Sequence, residues 1–168
     1  MTRNEIPNFF ADKGFKVGAE IGVLRGEFTE KLCKAGLKMY AIDPWIADKN
    51  HLKADPDYQK IRNALFKSAT NRLKPYDCTI IRKTSMEALE DFEDESLDFV
   101  YIDADHHFRF IAEDIVEWER KVRKGGIVSG HDYHVTPKCQ VPFVVDAYVK
   151  AFGIELSVTE DDNWYFIK

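Results

Sequence analysis

The sequence is poor in the features that would place it in several large classes of protein. Its three cysteines, Cys33, Cys78 and Cys139, are odd in number and far apart, so they read as neither a disulfide framework nor a zinc clip. No apolar run approaches the ~20 residues of a membrane span. The opening Met1-Thr2-Arg3-Asn4-Glu5 has no apolar stretch of the signal-peptide kind. There is no basic excess: 24 Lys and Arg face 29 Asp and Glu, a formal net charge of −5. The basic residues are also interleaved with acids, as in Glu117-Trp118-Glu119-Arg120-Lys121, which argues against a nucleic-acid-binding surface. No Gly-, Ser- or Pro-rich linker, internal repeat or low-complexity tract divides the chain. The expectation is a reduced, cytoplasmic protein forming one domain over residues 1–168, with an N-terminal helix within residues 1–16 and no cap domain.

What is present is enough for a core. The 168 residues are 45% hydrophobic and 13% aromatic, and a chain of this length buries roughly 70% of the surface its unfolded form exposes. Short apolar runs alternate with segments of helical period, the pattern of βαβ units around a parallel sheet. Strands are expected at residues 17–22, 38–43, 78–81, 97–103 and 127–129. Helices are expected at residues 2–13, 27–35, 57–73, 85–92, 108–123 and 142–152. Thr2 and Glu5 have capping-box spacing, and Gly14, Gly36 and Gly153 stand where helices stop. Residues 44–56 read as a polar loop. Gly125-Gly126 is expected to turn the chain into the fifth strand. Residues 154–158 and 164–167 read as a closing hairpin around the acidic turn Glu160-Asp161-Asp162-Asn163. The stripe Ile111, Ile115, Trp118, Val122 reads as core.

In an open α/β sheet, ligands bind beyond the carboxyl ends of the parallel strands. Each of the five expected parallel strands leads into residues suited to that. The first ends in Glu20-Ile21-Gly22-Val23-Leu24-Arg25-Gly26, the second in Asp43, and the third runs to Thr84-Ser85. The fourth ends in Asp103-Ala104-Asp105-His106-His107 and the fifth in Gly130-His131-Asp132-Tyr133. The first turn reads Glu-x-Gly-x-x-x-Gly, not the Gly-x-Gly-x-x-Gly that cradles a pyrophosphate. An acid just ahead of the first glycine repels phosphate but accepts a bond from an ammonium group or an ordered water. Asp43 follows Gly22 by about 20 residues, the spacing of an acid that binds ribose hydroxyls. Pro44 behind it makes a turn-capping role equally available. Asp103 and Asp132, on the ends of neighbouring strands, come within reach of one small cation. Their carboxylates favour Mg2+, Ca2+ or Mn2+, and His131 broadens the choice toward a transition metal.

At these residues a family becomes recognisable. The sequence resembles the class I S-adenosylmethionine (SAM)-dependent methyltransferases. The carriers are Val-Gly-Ala-Glu-Ile-Gly-Val-Leu-Arg-Gly-Glu-Phe (17–28), Tyr-Ala-Ile-Asp-Pro-Trp (40–45), Asp-Phe-Val-Tyr-Ile-Asp-Ala-Asp-His (98–106) and Gly-Gly-Ile-Val-Ser-Gly-His-Asp-Tyr (125–133). The last two resemble the small subfamily of macrocin-type sugar O-methyltransferases and, more distantly, the catechol type. The resemblance implies a Rossmann-like seven-stranded sheet of order 3-2-1-4-5-7-6, last strand antiparallel, with helices on both faces. It implies SAM contacts at Glu20, Gly22, Val23, Gly26, Asp43, Ser85, Met86 and Asp103, and a Mg2+ (or Mn2+) site on Asp103 and Asp132. The implied reaction is O-methylation of a hydroxyl on a small molecule or sugar. The candidate proton acceptors are Asp105 first, then His106 and His131. Two departures stand out: His131-Asp132 replaces the Asp-Asn pair of the catechol type, and the lid insertions of the macrocin type are missing. The acceptor would then be gripped by the 44–56 loop, the 133–142 loop or a second copy of the chain in a homodimer. The expected partners are thus a small-molecule or glycan acceptor, with no nucleic acid and no membrane.

Three other readings share parts of this pattern. A nicotinamide-dependent oxidoreductase has the same fold class, but the absent third glycine and Glu20 oppose it. A metallohydrolase would use Asp103, Asp105, His106, His107, His131 and His134, leaving the first turn and Asp43 without a role. A non-catalytic binding module of the same shape is the third, because fold alone does not confer activity.

Overall fold

A computed structural model describes residues 1–46, 56–134, 136 and 139–168. Seven strands form one sheet: β1 (Val17–Ile21), β2 (Lys38–Ile42), β3 (Cys78–Ile81), β4 (Leu97–Ile102), β5 (Val122–Gly130), β6 (Ser157–Val158) and β7 (Trp164–Ile167). Their order is β3-β2-β1-β4-β5-β7-β6. The first five are parallel, and β7 runs antiparallel to both β5 and β6. This is the expected topology. The helices are α1 (Ile6–Asp12), α2 (Glu27–Lys34), α3 (Pro56–Leu73), α4 (Ser85–Ala88), α5 (Phe108–Lys121) and α6 (Val141–Phe152).

Alternation along the central strands assigns each helix to a face. Ala19, Ile21, Val100, Ile102 and Val128 point to one side and pack with Ala88 of α4, Ile111, Ile115 and Trp118 of α5, and Val141, Val144, Val145 and Val149 of α6. Met39, Phe99, Tyr101 and Ile127 point to the other and meet α1 and α2 through Ile6, Phe10, Phe28 and Leu32. On that same side Ala41 meets Ala69 and Leu73 of α3. The central strands are therefore apolar on both faces, as buried parallel strands must be.

Several boundaries differ from expectation, each for a local reason. The first helix begins at Ile6, not Thr2. Half of the capping box exists, the Thr2 N–H donating to the Glu5 carboxylate at 2.6 Å, but residues 3–5 form a turn, and Pro7 suits the first turn of a helix that starts after Glu5. The fifth strand is the largest correction. It runs from Val122 to Gly130, and Gly125-Gly126 lies inside it rather than ahead of it. Leu97 pairs with Val122 while Phe99 pairs with Ile127, so the extra residues bulge out of the β4 pairing. The helix before it stops at Lys121 as a result. The segment expected as helix at 85–92 is one α-turn followed by a 3-10 turn at 89–91. The sixth strand keeps only residues 157–158, because Gly153 in the left-handed region returns the chain on α6 and the Ile154 N–H bonds to Val149 O at 2.8 Å. Most of the expected 44–56 loop, residues 47–55, lies outside the described residues, as do 135, 137 and 138 of the 133–142 loop.

Candidate active site

The ends of β1, β2, β3 and β4 open onto one cleft of about 950 Å3, at the upper end of the size range of small-molecule sites. Glu20, Gly22, Val23, Asp43, Ser85, Met86 and Asp103 line it, together with Asp105 and His106. Gly26, His131 and Asp132 do not. Gly26, with φ +76, caps α2, and a Cβ there would press on Leu73 of α3 at 3.1 Å; it shapes the turn from behind.

Backbone bonds hold the wall beside β1 and β2. Asp43 Oδ2 accepts from the N–H groups of Val23 and Leu24 at 3.1 and 3.0 Å, and Oδ1 accepts from the Trp45 N–H at 2.7 Å. The Trp45 indole, fully buried, donates back to Leu24 O at 2.8 Å. Leu24 and Trp45 both have positive φ, +53 and +44, a conformation that other contacts must hold in place. Asp43 therefore caps the turn, one of the two roles its position allowed. A carboxylate offers about four acceptor positions, and three are in use, which leaves room for one ribose hydroxyl rather than two. Gly22 has φ +88, and a Cβ there would overlap the Asp103 carbonyl oxygen and sit 2.7 Å from Ala104 Cα. The bare backbone at Gly22 is required first by the chain itself, where β1 and β4 end side by side, and not by a ligand.

Glu20 is 2% exposed and takes a hydrogen bond from the Thr29 hydroxyl. Burial pushes its carboxyl up to about 8. An ammonium group brought against it would restore the charged form. At the β3 end, the Ser85 hydroxyl donates to Asp114 Oδ1 and accepts from the Trp118 indole at 2.7 Å. Asp114 lines the cleft at 4% exposure, its carboxyl pushed up by burial to about 7.

The wall beside β4 and β5 is built from charged side chains. His106 Nε2 lies 3.0 Å from Asp132 Oδ2 and 3.8 Å from Asp103 Oδ1. Asp103 and Asp132 push the imidazole up to about 10, so in this state it is a donor and not a base. His106 and His131 hold Asp132 far below the usual carboxylate range, and His131 Nδ1 is 3.2 Å from Asp132 Oδ1. Asp132 itself has φ +60. Asp103, His131 and Asp132 each offer one ligand atom, all within 4.8 Å of one another, so the expected pair of metal carboxylates is brought together with the imidazole beside it. Asp105 turns from this group. Its Oδ1 accepts from the His107 N–H at 2.9 Å and lies 2.5 Å from His107 Nδ1. His134 Nδ1 lies between Asp162 Oδ2 at 3.2 Å and Asp132 Oδ1 at 3.8 Å. Of the six residues a metallohydrolase would use, Asp105 and His107 thus pair with each other, and the group of metal-ligand spacing among the described residues is Asp103, His131 and Asp132.

Sequence reasoning missed several members of the cleft, Asp114 and Arg3 among them. Asp114 is hidden inside a helix whose period reads as core. Arg3 lies in a segment that reads as helix, yet its guanidinium pairs with Asp103 and lies over the Phe28 ring at 4.6 Å. No local pattern marks either.

A family model described as a methyltransferase domain matches residues 19–133, more than half of the chain. The chain belongs to this methyltransferase-domain family. Its solved structural neighbours share the fold at low identity. The O-methyltransferase NovP superposes with a TM-score of 0.70 at 19% identity, covering 99% of this chain and 77% of that one. TomG of Streptomyces achromogenes, an O-methyltransferase of tomaymycin synthesis solved with SAM, gives 0.69 at 14%, covering 99% and 79%. An O-methyltransferase of Bacillus cereus solved with S-adenosylhomocysteine gives 0.67 at 15%, covering 99% and 80%. A curated protein of Sinorhizobium fredii, the uncharacterized y4gI, is 28% identical over 97 residues, which are 57% of this chain. The chain spans about a tenth of that protein's length.

The cleft of this methyltransferase domain fits the cofactor of such folds. It has an acid for an ammonium group at Glu20 and an acceptor left on Asp43. Asp114 Oδ2 makes no hydrogen bond to a described residue and is not sealed from the cleft. No helix among the described residues is long and apolar enough to cross a membrane.

Proposed function

We propose that this methyltransferase domain uses SAM to methylate a hydroxyl oxygen of a small molecule or sugar, with a divalent cation held at Asp103, Asp132 and His131. The observation that carries the reading is the gathering of the ends of four parallel strands on one cleft, with Asp103 in its lining and Asp132 and His131 beside Asp103. When bound, SAM supplies an electrophilic methyl carbon on a sulfonium. The chain's own task is then to seat the acceptor oxygen behind that carbon and to take its proton, and orientation alone can supply several kcal/mol.

Residues divide that task. The Asp43-laced turn and the Ser85–Asp114 pair would hold the nucleoside, and Glu20 the amino-acid end. Two carboxylates and an imidazole are a donor set for Mg2+ or Mn2+, and a cation there would lower the pKa of a hydroxyl it touches. Asp105 is the proposed proton acceptor. It faces the cleft and is oriented by His107, an acid–imidazole pair outside the cation's donor set. His106 is assigned instead to steadying Asp132, and His131 to the cation's donor set. A second copy of the chain, or the loops at 44–56 and 133–142, would complete the acceptor side.

The test is transfer of radiolabelled methyl from SAM to a panel of glycans, phenols and hydroxy acids, with and without chelator. Label on a hydroxyl oxygen that returns with Mn2+ or Mg2+ supports the reading. Transfer that survives exhaustive chelation removes the cation and leaves the methyltransferase. Activity on phosphoesters or amides without SAM would favour a hydrolase.

A further inference from the structure

At the β1–β4 corner the cleft carries charge of both signs. The acids are Glu20 and Asp103. The bases are Arg3 and Lys31, and both line the cleft. Lys31 Nζ is bonded to Asn4 Oδ1 at 2.7 Å. Arg3 is held from three directions. Its backbone N–H donates to the Asp161 carboxylate in the turn between β6 and β7. Its guanidinium lies over Phe28 at 4.6 Å and near the Tyr101 ring at 5.4 Å. One of its terminal nitrogens pairs with Asp103 Oδ2. The supports are themselves fixed. Tyr101 is fully buried and donates to Asn163 Oδ1 at 2.6 Å, and Asn163 Nδ2 donates to Asp161 Oδ1 at 2.6 Å. Arg3 is therefore a built part of the wall, with more guanidinium donors than its single carboxylate oxygen uses.

We infer that Arg3 is the binding residue for the α-carboxylate of the amino-acid half of SAM. This rests on the SAM reading above. An α-amino acid at this corner brings one carboxylate and one ammonium group. Glu20 and Asp103 serve the ammonium, and a planar guanidinium serves the carboxylate with two parallel hydrogen bonds. In the ligand-free protein Arg3 and Asp103 satisfy each other. An incoming zwitterion exchanges that one ion pair for two, its ammonium taking Asp103 and its carboxylate taking Arg3. The aromatic faces keep the guanidinium in place through the exchange.

Calorimetry with two ligands isolates this role. S-Adenosylhomocysteine carries the amino-acid half and 5′-methylthioadenosine lacks it. Arg3→Gln should weaken S-adenosylhomocysteine by about 10- to 100-fold, the range of a lost charge-assisted pair, and change 5′-methylthioadenosine by less than about twofold. Arg3→Lys, which keeps the charge and loses the fork, should recover part of the difference, and it carries the test if Arg3→Gln does not fold. Equal loss for both ligands would make Arg3 structural and overturn the assignment. Tighter binding of S-adenosylhomocysteine to Arg3→Gln would make Arg3 a plug and overturn it as well. If the wild-type protein binds neither ligand, the inference falls together with the SAM reading, and the wild-type titration tells that case from the others.

Discussion

Asp43 gives its carboxylate to three backbone N–H groups, whereas Asp103, on the same cleft, and Asp132 beside it give theirs to Arg3, His106 and His131. The β1–β2 wall is thus fixed by the backbone, and the β4–β5 wall by ion pairs between side chains far apart in sequence. The first arrangement presents a ligand with a finished surface. The second presents charges that already neutralise one another, so a cation or a zwitterion must displace a resident partner to bind. One wall shapes and the other exchanges.

Substitutions should separate the two walls. The largest effect is expected for Gly22→Ala. The added Cβ would collide with backbone at Asp103, and the residue would keep a φ of +88, so the domain should lose several kcal/mol of stability. A thermal melt that moves by less than a few degrees would show that the wall is more pliant than its bonding implies. Asp43→Ala comes next. It strands the N–H groups of Val23, Leu24 and Trp45, at about 1–3 kcal/mol for each one left without a partner. Both stability and affinity for S-adenosylhomocysteine should fall, and a fall in affinity alone would mean the cap is dispensable.

Asp132→Asn probes the other wall. The fold should survive, because the residue is tied to side chains and not to the sheet. Mn2+ affinity should drop at least ~10-fold while S-adenosylhomocysteine binds nearly as before. Unchanged Mn2+ affinity would exclude Asp132 from the cation site.

The most gradual effect is a slope. The folded protein keeps the Glu20 carboxyl protonated up to about 8, against an ordinary value of 4.5. It therefore binds a proton that the unfolded chain has already released. That contribution is complete below about pH 4.5 and is lost as pH rises toward 8. His106, held up to about 10, adds a slope of the same sign at higher pH. The melting temperature of the ligand-free protein should decline between about pH 5 and 8, and decline less in Glu20→Gln. Parallel curves for the two proteins would show that Glu20 is ionised throughout.

The contrast between the walls also explains what was legible in the sequence. The strand order came through a resemblance whose motifs lie in β1, β2, β4 and β5, and apolar runs with helical spacing located most elements to within a few residues. The cleft residues at strand ends were legible because a strand end and its turn are local in sequence. Asp43 was legible as a position but not as a bonding pattern, since two of its three partners, Val23 and Leu24, are about 20 residues away. The long β5 was missed because a glycine pair reads as a turn, while the bulge is decided by its pairing with β4. Arg3 and Asp114 were missed because their meaning depends on what faces them across the cleft, Asp103 and Ser85. Asp105 and His106 stand next to each other, yet one joins His107 and the other joins Asp132, a division that only the turn geometry decides.

The central claim is that this cleft is made for SAM, and titration calorimetry of the purified chain tests it most directly. S-Adenosylhomocysteine should bind to one site per chain, NAD+ and NADH should not, and Asp43→Ala should weaken the binding by about tenfold or more. Binding of NAD(H) with no response to S-adenosylhomocysteine would contradict the account.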